Sequence, residues 1–75
     1  MLDNKLILKD AIMLLEAVGY TFEGFDSGVR LYYHPRNPRQ HILTIPCRYD
    51  LNDELSEEIS KRIYEAINRY SSIKH

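Results

Sequence analysis

The side chains here that can exchange a proton near neutral pH are three histidines, and two of them fall close together. His34 closes the alternating run Val-Arg-Leu-Tyr-Tyr-His, and His41 opens the run His-Ile-Leu-Thr-Ile. A short hairpin between these runs would set the two imidazoles side by side. An imidazole pair acting as base and acid is the smallest set that cleaves RNA without a metal. Tyr32 and Arg30 would lie further along the same sheet. Histidines at strand ends also cap loops or pack half-buried, so the pair has a purely structural alternative. With no carboxylate nearby, two histidines make an incomplete metal site, and neither a metal nor another cofactor is expected. Cys47 is the single cysteine, which excludes an internal disulfide and a thiolate cluster and reads as a small filler residue.

The cations are concentrated in the same region. Between Ser27 and Ile45 stand Arg30, Arg36 and Arg39 with no aspartate or glutamate, and Arg48 follows before Asp50, although the whole chain carries a net charge of −1. A basic middle in an acidic frame fits an anionic partner, RNA included, and also fits a solvated loop.

These residues need elements to hold them. A chain of 75 residues makes one domain, 1–75, because neither half would have enough interior to offset the entropy of folding. With 44% hydrophobic and 28% charged residues the composition is that of a globular chain. No long apolar run or signal-like segment is present, so no membrane contact is expected and the cytoplasm is the expected compartment. Asp3 or Asn4 can cap a helix over 4–18 in which Ile7, Ala11, Leu14, Leu15 and Val18 share a face, and Gly19 supplies the positive φ that stops it. Strands are predicted over 20–25, 29–34 and 41–45, divided by the turn Asp26-Ser27-Gly28 and the loop from Pro35 to Gln40. Asn52 or Asp53 can cap a second helix over 52–70 whose inner face is Leu55, Ile59, Ile63, Ala66, Ile67 and Tyr70. Its outer face pairs Glu57 with Lys61, Glu58 with Arg62 and Glu65 with Arg69, each acid four residues before its base. The order αβββα predicts an α+β fold, a three-stranded antiparallel sheet with both helices on one face and the other face uncovered.

Leu14-Leu15-Glu16 followed by Gly19-Tyr20-x-Phe22 resembles the start of HicA-type toxins, small ribonucleases with a fold like the double-stranded-RNA-binding domain. Arg30-x-Tyr32-x-His34-Pro35, then Leu43-Thr44-Ile45 and the closing amphipathic helix, are similar to that family's second strand, third strand and last helix in order. The resemblance spans nearly the whole chain in short pieces. It implies an mRNA-cleaving toxin paired with an antitoxin, but the family's Gly-Ser-His at the start of the second strand is missing. Its histidine position falls on Val29 counted from His34-Pro35, or on Arg30 counted from Gly28. Neither side chain can serve as a general base near neutral pH.

Side chains alternate along a strand, so the register between the second and third strands decides which residues share a face. If the numbers of paired residues sum to an even value, Val29, Leu31, Tyr33, Leu43 and Ile45 form the core face. Arg30, Tyr32, His34, Ile42 and Thr44 are then exposed, a cation, a ring and an imidazole in a row suited to nucleic acid. If the sum is odd, Tyr32, Leu43 and Ile45 face the helices and Val29, Leu31, Tyr33, Ile42 and Thr44 form an open strip. The resemblance implies the odd register. In that arrangement the expected function is a non-catalytic module. Its strip binds a protein partner or a second copy, with Arg30, Arg36, Arg39 and Arg48 as a steering rim. The alternative is a surviving toxin using His34, His41 and Tyr32.

Overall fold

Leu8–Ala17 forms the first helix, α1, which starts later than the apolar spacing predicts. The computed structural model describes residues 5–40 and 42–71, so the caps expected of Asp3 and Asn4, and also His41, lie outside the described residues. The late start has a tertiary cause. The N–H groups of Leu8 and Lys9 donate to the carbonyls of Asp53 (2.9 Å) and Leu51 (3.0 Å), that of Leu55 donates to Leu6 (2.7 Å), and Ile7 forms an antiparallel bridge with Glu54. A distant loop thus satisfies donors that a helix start leaves free, and Ile7 supplies no side-chain cap. The buried stripe becomes Leu8, Ala11 and Leu15, flanked by Ile12 and Val18, while Ile7 and Leu14, expected in the core, are exposed.

The helix stops as expected. Gly19 has φ +106°, its N–H donates to Glu16 (3.0 Å), and the N–H of Tyr20 donates to Leu15 (2.9 Å), the paired bonds of a Schellman motif. Three strands follow, β1 (Thr21–Asp26), β2 (Val29–Tyr33) and β3 (Leu43–Pro46), in the spatial order β1-β2-β3. Ser27 and Gly28, both at positive φ, turn β1 into β2.

The second helix, α2, is Glu57–Ser71, and its cap is Ser56 rather than Asn52 or Asp53. The Ser56 hydroxyl accepts the N–H of Ile59 (3.2 Å), as an N-cap does. Asp53 closes a preceding turn, its carboxylate accepting the N–H of Asp50 (2.8 Å). Leu55 is buried as expected but precedes the helix, while Ile63, Ala66 and Tyr70 are buried within it. Ser60 is buried among them and its hydroxyl accepts the N–H of Leu6 (2.9 Å). Of the three expected ion pairs, Glu58–Arg62 closes among the described residues, at 3.4 Å on an exposed surface where it adds little. Arg69 turns instead toward the Tyr20 hydroxyl.

The chain has an α+β fold of order αβββα, a slab 35 × 32 × 17 Å in which the core lies between the helices and one sheet face. Cys47 is not a filler: it follows Pro46 beyond the covered part of the sheet, where its thiol is free and exposed. Among the described residues no helix is long and apolar enough to cross a membrane.

Candidate functional site

The pairing of β2 with β3 is Val29 with Pro46, Arg30 with Ile45, Leu31 with Thr44 and Tyr32 with Leu43, each summing to 75, the odd register. Tyr32 and Ile45 therefore face the helices and are buried, with Leu43 packed beside them. Val29, Leu31, Tyr33, Thr44 and Pro46 fall on the other face. There Val29, Leu31 and Tyr33 are half-buried by neighbouring strands and Thr44 is exposed. Ile42 precedes β3, is 51% exposed, and borders a small groove with Gln40, Leu43 and the α2 residues Ala66 and Arg69. At the same end of the strip Tyr33 lines a shallow hollow with Phe22, Glu23, Pro38 and Arg39, which wraps around the edge of β1.

His34, by alternation on the helix side, is 7% exposed and fully engaged. The backbone N–H of Arg36 can only donate, so Nδ1 accepts from it (3.2 Å), and Nε2 carries the proton and donates to Val18 O (2.9 Å). The ring stacks on Tyr70 with centroids 3.6 Å apart and meets the Tyr20 ring edge-on at 5.1 Å. Asn37 donates from its amide to the Tyr70 hydroxyl (3.0 Å), tying the 34–37 turn to the end of α2. Gly19 is required by more than its φ, since a Cβ there would lie 2.8 Å from His34 Nε2. The neutral imidazole is thus a joint between α1, β2 and α2, with no nitrogen left for a substrate.

Tyr32 is equally enclosed, at 2% exposure. Burial raises its hydroxyl above the ordinary value of 10.0, an effect the adjacent Arg30 guanidinium opposes. Tyr20 is raised for the same first reason, with Tyr70 adding to it and Arg69 opposing. A hydroxyl moved away from neutrality and shut off from solvent is poorly suited to proton transfer at neutral pH.

The arginines do not assemble into one rim. Arg36 and Arg39 are exposed on the turn joined to the end of α2. Arg48 is exposed near its start, donating to the Tyr49 hydroxyl (3.1 Å) with its guanidinium 5.0 Å from that ring. Arg48 thereby lowers the Tyr49 hydroxyl, helped by the Ser56 N–H that it accepts (3.3 Å). Arg30 leaves the expected rim altogether. Its pairing with Ile45 puts it on the helix side, where its guanidinium sits 5.4 Å from the Phe25 ring centroid and 6.0 Å from that of Phe22.

Those two phenyl groups were not legible as a site in the sequence. Three residues apart, they should point to opposite faces of a regular strand. The register shift between Phe22 and Gly24 lets Phe22 oppose Tyr32 and Phe25 oppose Arg30, so both lie on the helix face. The rings meet edge-to-face at 5.3 Å and remain 41% and 66% exposed, because the helices do not reach them. The signal available was Gly24, a glycine inside a strand, at φ +136° with open space where a Cβ would stand. Compared with known proteins, the chain matches no family model, no curated protein and no solved structure.

Proposed function

We propose that this chain is a non-catalytic binding module whose open sheet face, centred on Val29, Leu31 and Tyr33 with Thr44 alongside and Ile42 at its margin, engages a protein partner. The observation that carries this reading is the odd register of β2 with β3, which turns three apolar side chains away from both helices. An apolar strip on so small a domain is what a docking surface requires, and polar neighbours at one end, Arg39 and Glu23 beside Tyr33, give it orientation. The engagement of both His34 nitrogens by backbone groups supports a non-catalytic role. So does Val29 or Arg30 standing where the HicA-type histidine would be. One setting for such a module is a mobile element or phage, where a small domain blocks a host defence or nucleic-acid enzyme.

The test is the double change Leu31→Asp with Tyr33→Asp, applied to the complex with a partner that has been co-purified from the native cell, identified and remade pure. Binding should fall at least a hundredfold while the circular dichroism spectrum is unchanged. A variant that unfolds would make the face part of the core and end the reading. Growth arrest with RNA cleavage on expression of the wild type would replace it with the catalytic toxin.

A further inference from the structure

We propose that β1 is a self-association edge at which two copies of this chain pair antiparallel, joining their sheets into one of six strands with a shared cluster of four phenyl groups. Among the described residues β1 pairs with β2 alone, so on either side of its bulge outward N–H and C=O groups have no strand partner there. The two edges of the sheet are not alike. β3 is four residues long and ends in Pro46, which has no N–H to offer. β1 is six residues long with neither proline nor lysine; it does carry Glu23, Asp26 and a bulge, and pairing is open to a strand whose own irregularity falls opposite that bulge.

The side chains of β1 identify the occupant as a second copy. In an antiparallel pair, residues directly opposite each other point to the same face. Phe22 and Phe25 are on the helix face, and Thr21, Gly24 and Asp26 are on the other. If residue numbers across the two copies sum to 47, Phe22 stands opposite the second copy's Phe25 and Thr21 opposite its Asp26. Glu23, the residue at the bulge, then meets Gly24. All six residues pair, no face is mismatched at an assigned position, and no two like charges are opposed. A slip of one residue either way sets Phe22 against Gly24 or Asp26, which point to the other face. The full-length register is therefore self-complementary, as a twofold interface must be.

Pairing relieves an exposure the monomer cannot. Phe25 and Phe22 are 66% and 41% exposed, and the twofold axis, perpendicular to the sheet, brings both pairs of rings together beside their Arg30 guanidinium groups. Aromatic side chains bury roughly 150–250 Å² each when fully covered, so two partly covered rings and a strand edge per copy amount to about 800 Å² in all. That is below the roughly 1,200–2,000 Å² of stable specific interfaces and in the range of weak, transient ones, so the dimer forms at high protein concentration and exchanges quickly. Its open faces then lie side by side, doubling the strip of Val29, Leu31 and Tyr33. The edge pairing does not depend on that strip having a partner, and either can fail alone.

Sedimentation equilibrium from micromolar to millimolar protein should show the mass rising from 8.9 kDa toward twice that value. Phe25→Lys, at a solvent-facing position, should keep the circular dichroism spectrum and weaken association at least tenfold. Wild-type protein mixed from isotope-labelled and unlabelled copies should give nuclear Overhauser contacts between the Phe22 ring of one and the Phe25 ring of the other, which needs no variant. A single 8.9 kDa species at millimolar concentration would overturn the proposal. So would association that Phe25→Lys leaves intact, or intercopy contacts made by Leu31 and Thr44 with none between the phenyl rings.

Discussion

His34 binds three elements together through two hydrogen bonds and two ring contacts, and Gly19 is the residue that leaves room for it. Gly19→Ala should destabilise the fold by about 2 kcal/mol or more, because alanine is strained at positive φ and its methyl meets the imidazole. His34→Ala should cost about 3 kcal/mol through lost packing and an unpaired Val18 carbonyl. Combined, the two should cost less than their sum, by about 1 kcal/mol, since removing the ring removes the clash. Urea denaturation of the four proteins reads that coupling, and strict additivity would refute it. Tyr20 and Tyr32 are raised above 10.0 by burial, so in alkali the unfolded chain loses their protons first. Their contribution to stability is complete below pH 10.0 and is lost as pH rises past it, while Tyr49, lowered by Arg48, partly opposes the trend. Thermal melts across this range should show a falling midpoint whose slope is shallower in Tyr32→Phe. At this scale the sequence showed that Gly19 must turn the chain and that His34 closes a strand. It did not show that the first exists partly for the second, because the two meet only when α1 packs back on the sheet.

Helix boundaries make the same division between near and far. The inner face of α2 was readable because Ile59, Ile63, Ala66 and Tyr70 recur with the helical period. Its start differs from the expected one because Asn52, Asp53 and Ser56 are all residue types that cap helices, and it is the Ser56 hydroxyl that accepts the N–H of Ile59. Ser56→Ala should therefore cost about 1 kcal/mol, and Asn52→Ala should stay within about 0.5 kcal/mol, by chemical denaturation. Ser60→Ala should cost about 1–3 kcal/mol, more than an exposed helical serine would, because it strands the N–H of Leu6 inside the protein. The start of α1 was beyond local reading, since its first donors are met by carbonyls at 51 and 53.

For the molecule as a whole, the two faces of the sheet should respond differently to damage. Tyr32→Ala, in the enclosed face, should cost about 3–5 kcal/mol and leave little folded protein. Leu31→Ala, one residue along on the open face, should cost much less, and amide hydrogen exchange would separate the two. Phe22 and Phe25 take a third position, on the covered face but beyond the helices. By itself the sequence determined the elements and their order, the stop at Gly19 and the apolar stripe of α2, because each rests on contacts within a few residues. The fold's tertiary contacts decided the rest: the late start of α1, the odd register of β2 and β3, the bulge that gathers the phenyl groups, and the enclosure of His34. A loop from Pro35 to Gln40 tolerates either parity, and either would give alternating strands. What selects one is the fit of Tyr32, Leu43 and Ile45 under two helices that lie far away in sequence.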